Sequence, residues 1–224
     1  MENRDTVLFI VRHGETDWNH NQRYQGHTEV PLNDKGRRQA QATAERLAKV
    51  VLHAAYASDL SRAAETAEII AVPHGLKVTT TPELRERNFG ALEGLNRAEA
   101  MAQPWWAAME QSDGFGAPPG GETRLQMRQR VVSCVDQIIA THQGKNILLV
   151  SHGGPIAQFM CDMLGAPAEQ RAAIRLDNCS LSVLRARQWP GKPTVDKIIL
   201  LVNDVAHLYP KAPVGVLATQ EDLS

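Results

Sequence analysis

Apolar residues along this chain fall into two patterns that alternate with each other. The first is a short run of about five mostly apolar residues between polar or turn-forming residues, which is typical of a buried strand. Such runs predict strands at Val7–Val11, His53–Ala57, Lys77–Thr81, Asn146–Val150, Cys179–Arg185 and Val195–Val202.

The second pattern is helical periodicity, in which apolar residues recur every three or four positions. On the first predicted helix, Val51 continues an apolar face formed by Ala40, Ala44 and Leu47. Residues with capping side chains precede the first two helices, and a proline lies in the first turn of the last, where its missing N–H costs little. The predicted helices run from Asn33 or Asp34 to about Val50, from a cap at Ser61 to about Val72, from Glu122 to His142, and onward from Pro155.

The order of these elements predicts the fold class. Strands alternate with helices through most of the chain, which is the pattern of an α/β domain with helices on both faces of a parallel sheet. We therefore expect a three-layer α/β/α sandwich with a mostly parallel central sheet, in which the last two strands form an antiparallel edge. With 224 residues the chain is long enough for one large domain. We place this domain at residues 1–210 and treat residues 211–224 as a C-terminal tail.

The segment Gly90–Gly121 departs from this alternation. It ends in Gly-Ala-Pro-Pro-Gly-Gly, and an insertion of this length in a compact domain is usually a lid or a binding element. We expect a helical lid at about residues 90–121, in which one of the two tryptophans only packs the insertion against the domain. The large apolar residues of this lid are Met101, Trp105, Trp106, Met109 and Phe115.

Two histidines follow predicted strands in the same way. Arg12-His13-Gly14 comes directly after the first strand, and Ser151-His152-Gly153-Gly154 comes directly after the fourth. In an open α/β sheet, ligands bind at the carboxyl ends of the strands. The pattern therefore predicts one polar site that is assembled from both ends of the chain.

Further polar residues also come after strands, so that they can face the same crevice. Arg62 lies in the first turn of the helix after the second strand, and Glu86 lies just beyond the third strand. Asn19, Gln25 and Gly26 lie in the loop after the first strand. Each residue alone is weak evidence, because a polar residue at a strand end is more often structural.

These residues lie in five stretches of the sequence: Val11-Arg12-His13-Gly14-Glu15-Thr16-Asp17-Trp18-Asn19, Tyr24-Gln25-Gly26 with Pro31-Leu32, Ser58-Asp59-Leu60-Ser61-Arg62-Ala63, Leu84-Arg85-Glu86, and Val150-Ser151-His152-Gly153. In this order and spacing, the stretches resemble the histidine phosphatase superfamily, which is also called phosphoglycerate-mutase-like. The resemblance covers roughly residues 6–210. A chance match of all five stretches is hard to credit.

The resemblance implies a role for each residue. His13 is implied to be the nucleophile, which takes the phosphoryl group as phosphohistidine and needs a neutral ring nitrogen facing phosphorus. Glu86 is implied to protonate the leaving alcohol and then to activate water. The implied phosphate ligands are Arg12, Arg62 and His152, with His152 most useful as imidazolium, and the implied substrate-binding residues are Asn19, Gln25, Gly26 and Gly153.

A metal site is the main alternative interpretation of the same residues, because two histidines and a glutamate can bind zinc. The two arginines argue against it, since guanidinium groups beside a divalent cation are electrostatically unfavourable. The sequence also has no His-x-x-x-His pair. We therefore expect no metal and no dissociable cofactor.

Composition and charge limit the classes of molecule that this protein is expected to bind. The formal net charge of -1 gives no global positive field of the kind that binds nucleic acid or membrane surfaces. The chain shows no signal-peptide pattern and no apolar stretch near the roughly 20 residues of a membrane helix. Its three widely spaced cysteines fit a reducing compartment. We expect a cytoplasmic protein that binds a small phosphate ester, with no nucleic acid and no membrane, and a homodimer is left open.

Within this family the choice lies between a phosphatase and a mutase. A mutase must also grip the carboxylate and second phosphate of its substrate, which calls for extra cations in the lid. Between Asn88 and Gly121 the only basic residue is Arg97, and Phe89 stands where the mutase pattern would carry a tyrosine. The sequence therefore favours a phosphomonoesterase acting on small organic esters, with the tryptophans and methionines of the lid facing the leaving group.

Several alternatives stay open at this point. Within the enzyme class they are a bisphosphoglycerate-dependent phosphoglycerate mutase and a dedicated sugar or nucleoside phosphate phosphatase, such as a ribazole phosphate phosphatase. An inactive phosphoester-binding module is disfavoured, because every residue of the implied catalytic set is present. A protein phosphohistidine phosphatase is disfavoured because the lid would restrict access.

Overall fold

The structure is a computed structural model, and it describes residues 5–111, 116–168, 174–189 and 195–209. In these ranges one sheet is formed by β1 (Thr6–Arg12), β2 (Ala54–Ser58), β3 (Val78–Thr81), β4 (Asn146–Ser151), β5 (Leu181–Gln188) and β6 (Val195–Asp204). The α-helices are α1 (Asp17–His20), α2 (Asp34–Leu47), α3 (Ser61–Ala71), α4 (Arg97–Met101), α5 (Trp106–Gln111), α6 (Arg124–Thr141) and α7 (Gly153–Met163). The predicted tail at 211–224 and Phe115 of the predicted lid lie outside the described residues.

The sheet has the strand order β3-β2-β4-β1-β5-β6. The pairs β3–β2, β2–β4 and β4–β1 are parallel, whereas β5 is antiparallel to both of its neighbours, β1 and β6. The prediction of a mostly parallel sheet with an antiparallel edge is therefore confirmed. Because β1 and β4 are direct neighbours near the middle of the sheet, two stretches that lie about 140 positions apart in the sequence meet there.

Two hydrophobic cores lie on opposite faces of the sheet, which confirms the three-layer prediction. Side chains alternate between the faces along each strand. Leu8 and Ile10 of β1 belong to the core that also contains apolar residues of α6 and α7. Val11 of β1 belongs to the other core, which contains apolar residues of α2 and α3. Residues of β4 contribute to both cores, as is typical of a central parallel strand.

Two details of the predicted helices were wrong. Helix α2 ends at Leu47, and Val51, which the periodicity placed on its apolar face, is 69% exposed. The chain turns directly after α2, where the N–H of Val50 donates to the carbonyl of Leu47. Ser61 is the first residue of α3 and not its cap, because its N–H and hydroxyl both donate to the carboxylate of Glu29, at 3.0 and 2.6 Å.

The fifth strand begins two residues later than predicted. Cys179 has a φ of +55°, which lies in the left-handed region and cannot continue a strand. Its N–H instead donates to the carbonyl of Arg12, 2.9 Å away, at the end of β1. Cys179 therefore supports the segment that carries Arg12 and His13.

The insertion between β3 and α6 contains α4 and α5, as the sequence predicted. It has its own small apolar core of Leu92, Ala100, Trp106 and Met109. Trp105 is half-buried and packs against this core, whereas Met101 is 53% exposed. At the base of the insertion, the N–H of Ala91 donates to the carbonyl of Pro119. The insertion therefore has a core of its own, and it is also held against the loop after β1, where Tyr24 packs against this core and exchanges backbone hydrogen bonds with Gly94 and Leu95.

Candidate active site

The pairing of β1 with β4 brings His13 and His152 together. Arg12 is the register partner of Ser151, and the N–H of His13 donates to the Ser151 carbonyl at 2.9 Å. Each histidine is the next residue after this pair, so the two rings lie side by side with centroids 5.0 Å apart. Their exposed fractions are only 3% and 0%.

The environment of His13 selects one of its ring nitrogens. Nδ1 lies 2.7 Å from the carbonyl oxygen of Gly14. A carbonyl can only accept a hydrogen bond, so Nδ1 carries the proton and Nε2 of the neutral ring keeps its lone pair. A second hydrogen bond holds the backbone after His13, because the N–H of Gly14 donates to the hydroxyl of Thr66 on α3.

Arg62 reaches the histidines from the first turn of α3. Its side chain is fully buried, and its two Nη atoms donate to the carbonyls of Thr28 and Gly26, at 3.0 and 2.8 Å. Arg12 is held in a similar way, because its Nη1 donates to the carbonyl of Leu176 at 2.6 Å. The backbone thus fixes both guanidinium groups.

Several buried nitrogen atoms of this cluster have no hydrogen-bond partner within the described residues. They are Nε of Arg12, Nε of Arg62, and both ring nitrogens of His152. Buried polar groups in native proteins are almost always hydrogen-bonded, so a cluster of buried nitrogen atoms without partners among the described residues needs an explanation. An anion that accepts from these donors would satisfy them, and a phosphate group has enough oxygens to do so.

Burial and positive charge depress the basicity of both histidines. Desolvation is the main cause that holds the pKa of His13 well below 6.5, and Arg62 and Arg12 lower it further. The pKa of His152 is held well below 6.5 by desolvation and then by Arg62, His13 and Arg12. The protein groups alone therefore favour a neutral His152 and not the imidazolium expected from the sequence. A bound dianion would oppose the two arginines and favour the proton.

The segment after β3 crosses back over the sheet and carries Glu86 to this cluster. The hydroxyl of Ser151 donates to the carbonyl of Leu84 at 2.7 Å, which anchors the segment at the end of β4. The two carboxylate oxygens of Glu86 accept from the N–H groups of Arg87 and Gly154, at 2.8 and 3.2 Å. Glu86 therefore lies against the N-terminus of α7, one residue beyond Gly153.

The remaining predicted substrate-binding residues surround the cluster in different ways. Oδ1 of Asn19 accepts from the N–H and hydroxyl of Thr16 and from Nδ2 of Asn178, which leaves its Nδ2 as the end that can donate. Gln25 is buried, and its Oε1 has no partner in the described part of the chain. Gly26 contributes its carbonyl to Arg62.

Gly153, the last of these residues, begins α7 beside Arg12. A Cβ at this position would stand 3.5 Å from Nε of Arg12. The helix that it begins is preceded by His152 as the N-cap residue, which gives no side-chain cap. The free N–H groups and the dipole of this helix N-terminus favour an anion next to the two histidines.

A cavity of about 380 Å³ opens beside Glu86 and Gly153. Its apolar wall includes Tyr24, Phe89, Trp106 and Met109. The prediction that lid residues face a leaving group therefore fits Trp106 and Met109 but was wrong for Met101, which lines a different surface pocket beside α1. Trp105 is the tryptophan that packs the insertion.

Sequence reasoning missed residues that support the site from behind. Nδ2 of Asn178 donates to the carbonyl of His13 at 3.0 Å. Arg130 on α6 donates to the carbonyls of Glu83, Arg85 and Glu86, each at 2.8 Å, and so clamps the segment that carries Glu86. No local pattern marks this role, because the backbone carbonyls that these two residues bind lie 44 or more positions away in the sequence.

Two kinds of feature are absent from the part of the chain that the structure describes. It contains no group of three or more histidine, cysteine, aspartate or glutamate side chains that could hold a metal ion. Among the described residues, no helix combines the length and the apolar composition that crossing a membrane requires.

The fold and the site together define an α/β protein in which two buried histidines and two arginines cluster at neighbouring strand ends. The family model described as the histidine phosphatase superfamily, branch 1, matches residues 8–198. The chain belongs to this superfamily, as the sequence motifs predicted.

Among the relatives of this chain are proteins named as mutases and proteins named as phosphatases. A protein of Yersinia enterocolitica named a probable phosphoglycerate mutase is 36% identical over 203 residues, which is 90% of this chain and 94% of that protein. The solved structure of a mycobacterial glucosyl-3-phosphoglycerate phosphatase with VO3 is 31% identical with a TM-score of 0.76, and the match covers 89% of this chain and 98% of that one. A putative alpha-ribazole-5'-P phosphatase from Escherichia coli is 28% identical with a TM-score of 0.80, over 89% and 96% of the two chains.

Proposed function

We propose that this protein is a phosphomonoesterase that hydrolyses small organic phosphate esters through a phosphohistidine on His13. The observation that carries the proposal is a set of buried nitrogen atoms that have no hydrogen-bond partner among the described residues: Nε of Arg12, Nε of Arg62 and both ring nitrogens of His152. They surround a histidine whose free Nε2 can act as a nucleophile. Membership of the histidine phosphatase superfamily supports the same assignment.

In the first step, Nε2 of His13 attacks phosphorus, so that an N–P bond forms while the bond from phosphorus to the ester oxygen breaks. The hydrogen bond from Nδ1 to the Gly14 carbonyl stabilises the ring as it gains positive charge. Arg12, Arg62 and His152 donate to the phosphoryl oxygens, and such fixed donors act where charge is redistributed in the transition state. Glu86 gives its proton to the departing alkoxide, which leaves as an alcohol.

In the second step, water attacks the phosphohistidine. Glu86, now ionised, takes a proton from the water, the N–P bond breaks, and inorganic phosphate leaves with the ring of His13 neutral again. The same carboxyl group serves as acid and then as base, since it lies at the N-terminus of α7, directly after His152, and also lines the cavity.

A bisphosphoglycerate-dependent phosphoglycerate mutase is the second candidate. The name of the Yersinia relative supports it, at 36% identity. Both candidates use the same phosphohistidine, and they differ in whether water or a second hydroxyl group receives the phosphoryl group. We favour hydrolysis because Phe89, on the cavity wall, stands where the mutase pattern carries a tyrosine and therefore lacks its hydroxyl group.

The test of the phosphohistidine is the His13→Ala variant. We expect turnover of para-nitrophenyl phosphate to fall by roughly 10⁴-fold or more, because the covalent nucleophile is lost. His20→Ala, which changes an exposed histidine on α1, is the matched control and should retain the wild-type rate. Equal rates for the wild type and His13→Ala would exclude the mechanism.

The acid role of Glu86 is tested by Glu86→Gln with two kinds of ester. Alkyl phosphates need a proton on the leaving oxygen, whereas activated phenyl phosphates need it much less. We expect kcat to fall about 10²-fold more for glycerol 3-phosphate than for para-nitrophenyl phosphate. Similar losses on both esters would rule out proton donation by Glu86.

Hydrolysis and isomerisation are separated by one comparison of products. The wild-type protein is incubated with 3-phosphoglycerate and a trace of 2,3-bisphosphoglycerate, and 2-phosphoglycerate and free phosphate are both measured. We expect phosphate release to exceed isomerisation. Efficient isomerisation with slow release would establish the mutase instead.

A further inference from the structure

One side chain of the insertion, Glu93, contacts the loop that holds Arg62. Glu93 is half-buried near the start of the insertion. Its Oε1 accepts from the backbone N–H of His27 at 2.9 Å, and its Oε2 accepts from the hydroxyl of Thr28 at 2.5 Å. The insertion therefore holds residues 26–28, which belong to the main domain.

The same loop fixes the guanidinium group of Arg62 from its other side. The carbonyl of Gly26 accepts from Nη2 at 2.8 Å, and the carbonyl of Thr28 accepts from Nη1 at 3.0 Å. The N–H and hydroxyl groups of the loop thus bind Glu93, while its carbonyls bind Arg62. The direction in which Nε of Arg62 points therefore depends on the conformation of this loop.

Gly26 makes the close approach of Glu93 to the loop possible. Its φ is +52°, in the left-handed region that favours glycine, and a Cβ at this position would stand 2.1 Å from Oε1 of Glu93. Any side chain at position 26 would therefore displace the carboxylate. The loop and the carboxylate fit each other closely, which a chance surface contact does not require.

The carboxylate of Glu93 also acts on the charge of Arg62. Burial lowers the pKa of Arg62 to about 10, and the negative charges of Glu86, Glu29 and Glu93 oppose this shift. Glu93 is not among the described residues that line the cavity beside Glu86. Its contacts are directed to the phosphate end of the site and not to the cavity.

We propose that Glu93 is a positioning residue for the phosphate end of the site, because through residues 26–28 it holds Arg62 in the direction in which Nε meets a phosphoryl oxygen. This inference rests on the proposed function, which places the phosphate of the ester at His13. The insertion then has two separate roles. Its cavity-lining side chains face the leaving group, whereas Glu93 acts on the phosphate that every ester shares.

The experiment measures the affinity for inorganic phosphate by calorimetry, and kcat/KM for para-nitrophenyl phosphate and for glycerol 3-phosphate. In Glu93→Ala we expect the phosphate affinity to fall about tenfold, because charge-assisted hydrogen bonds to the loop are lost. Both kcat/KM values should fall by the same factor to within about twofold, since the phosphate is common to both esters.

Two further variants show whether the effect comes from the hydrogen bonds of Glu93. Glu93→Gln keeps a carbonyl oxygen for the N–H of His27 and should restore the phosphate affinity to within about threefold of the wild type. Glu99→Ala, which changes an exposed glutamate on α4 of the same insertion, is the matched control and should keep the wild-type affinity.

A double-mutant cycle tests whether Glu93 acts through Arg62. In the Arg62→Gln protein, the added change Glu93→Ala should lower the phosphate affinity by less than about twofold, since the group that Glu93 positions is gone. Thermal unfolding shows that each variant is folded. If Glu93→Ala does not fold, Thr28→Val replaces it in the cycle. Thr28→Val removes the hydroxyl that Oε2 binds but keeps the carbonyl that Arg62 binds, and should lower the affinity about threefold.

Wild-type phosphate affinity in the folded variants of Glu93 and Thr28 would overturn the proposal, as would an equal loss with and without Arg62. A loss confined to one of the two esters would place the effect at the leaving group and would overturn it as well. A wild-type protein that binds phosphate but hydrolyses neither ester would contradict the proposed function, and the phosphate affinities would still decide the role of Glu93.

Discussion

The two ends of the candidate site are built in opposite ways. The phosphate end consists of side chains at strand ends and helix starts, and backbone carbonyls fix the guanidinium groups of Arg12 and Arg62. The end that we propose for the leaving group is a cavity of about 380 Å³, and its lining includes residues of α4 and α5 and the first residue of α6. The first end belongs to the main sheet, whereas the second has a small apolar core of its own.

We expect the first end to determine the reaction and the second end to determine the substrate. Preorganised donors in a buried place are the requirement of phosphoryl transfer, whatever the alcohol that leaves. Under the proposed function, the buried and partly exposed side chains that line the cavity beside Glu86 select the alcohol by their shape and charge. A change at the first end should therefore affect all substrates equally, and a change at the second end should affect them selectively.

Gly154→Ala tests the point where the two ends meet, and we expect the largest effect here. A Cβ at Gly154 would overlap Oε1 of Glu86, so the carboxylate must move away from the N-terminus of α7. We expect kcat/KM for glycerol 3-phosphate to fall by about 10²-fold, while alanine in a helix costs no folding stability relative to glycine. Thermal unfolding and steady-state kinetics are measured on the same sample. Wild-type kinetics in a folded Gly154→Ala protein would show that Glu86 does not need its present position.

Trp106→Ala tests the selectivity of the lid end. Trp106 is buried in the lid core and lines the cavity. We expect KM for para-nitrophenyl phosphate to rise about tenfold with a smaller change in kcat, because binding of the leaving group is weakened more than the chemistry. Trp189→Ala, a partly exposed tryptophan outside the cavity, is the matched control. If Trp106→Ala lowered kcat for all esters and left KM unchanged, the two ends would not be separable.

The smallest expected effect is a change in the free energy of unfolding with pH, which arises from the histidines at the phosphate end. The pKa values of His13 and His152 are held well below 6.5 in the folded protein, whereas in the unfolded chain these rings titrate near 6.5. As pH falls below about 6.5 the unfolded state binds more protons, so the free energy of unfolding should fall. At pH 5.5 we expect a loss of roughly 1 kcal/mol for each buried ring relative to pH 7.5.

Urea unfolding at the two pH values measures this loss, and NMR titration of the histidine ring signals identifies the rings responsible. His13→Asn should remove part of the pH dependence, since one depressed titration disappears. Ring signals of His13 or His152 that titrate at or above pH 6.5 would contradict the depressed pKa values.

Local patterns were sufficient for the elements and the motifs. The six strands were predicted to within about two residues at most ends, because their apolar runs are short and sharply bounded. Two of the errors, at Ser61 and Cys179, fell where a partner far along the chain overrides the local signal. Glu29 takes the N–H and hydroxyl groups of Ser61, and Cys179 turns into the left-handed region to bond Arg12. Neither partner is visible in the sequence around these residues.

The sequence by itself determined that this is an α/β protein of the histidine phosphatase superfamily. The alternating strand and helix periodicities and the five ordered motifs can both be recognised in the sequence alone. Only the tertiary structure decided that β1 lies beside β4 in a register that pairs Arg12 with Ser151, which puts the two histidine rings 5.0 Å apart. It also decided that Arg87 and Arg124 share one cavity. The physical reason is that the strand order and the packing of the insertion depend on contacts between residues far apart in the chain. Hydrophobic periodicity contains information only about residues that are close together in the sequence.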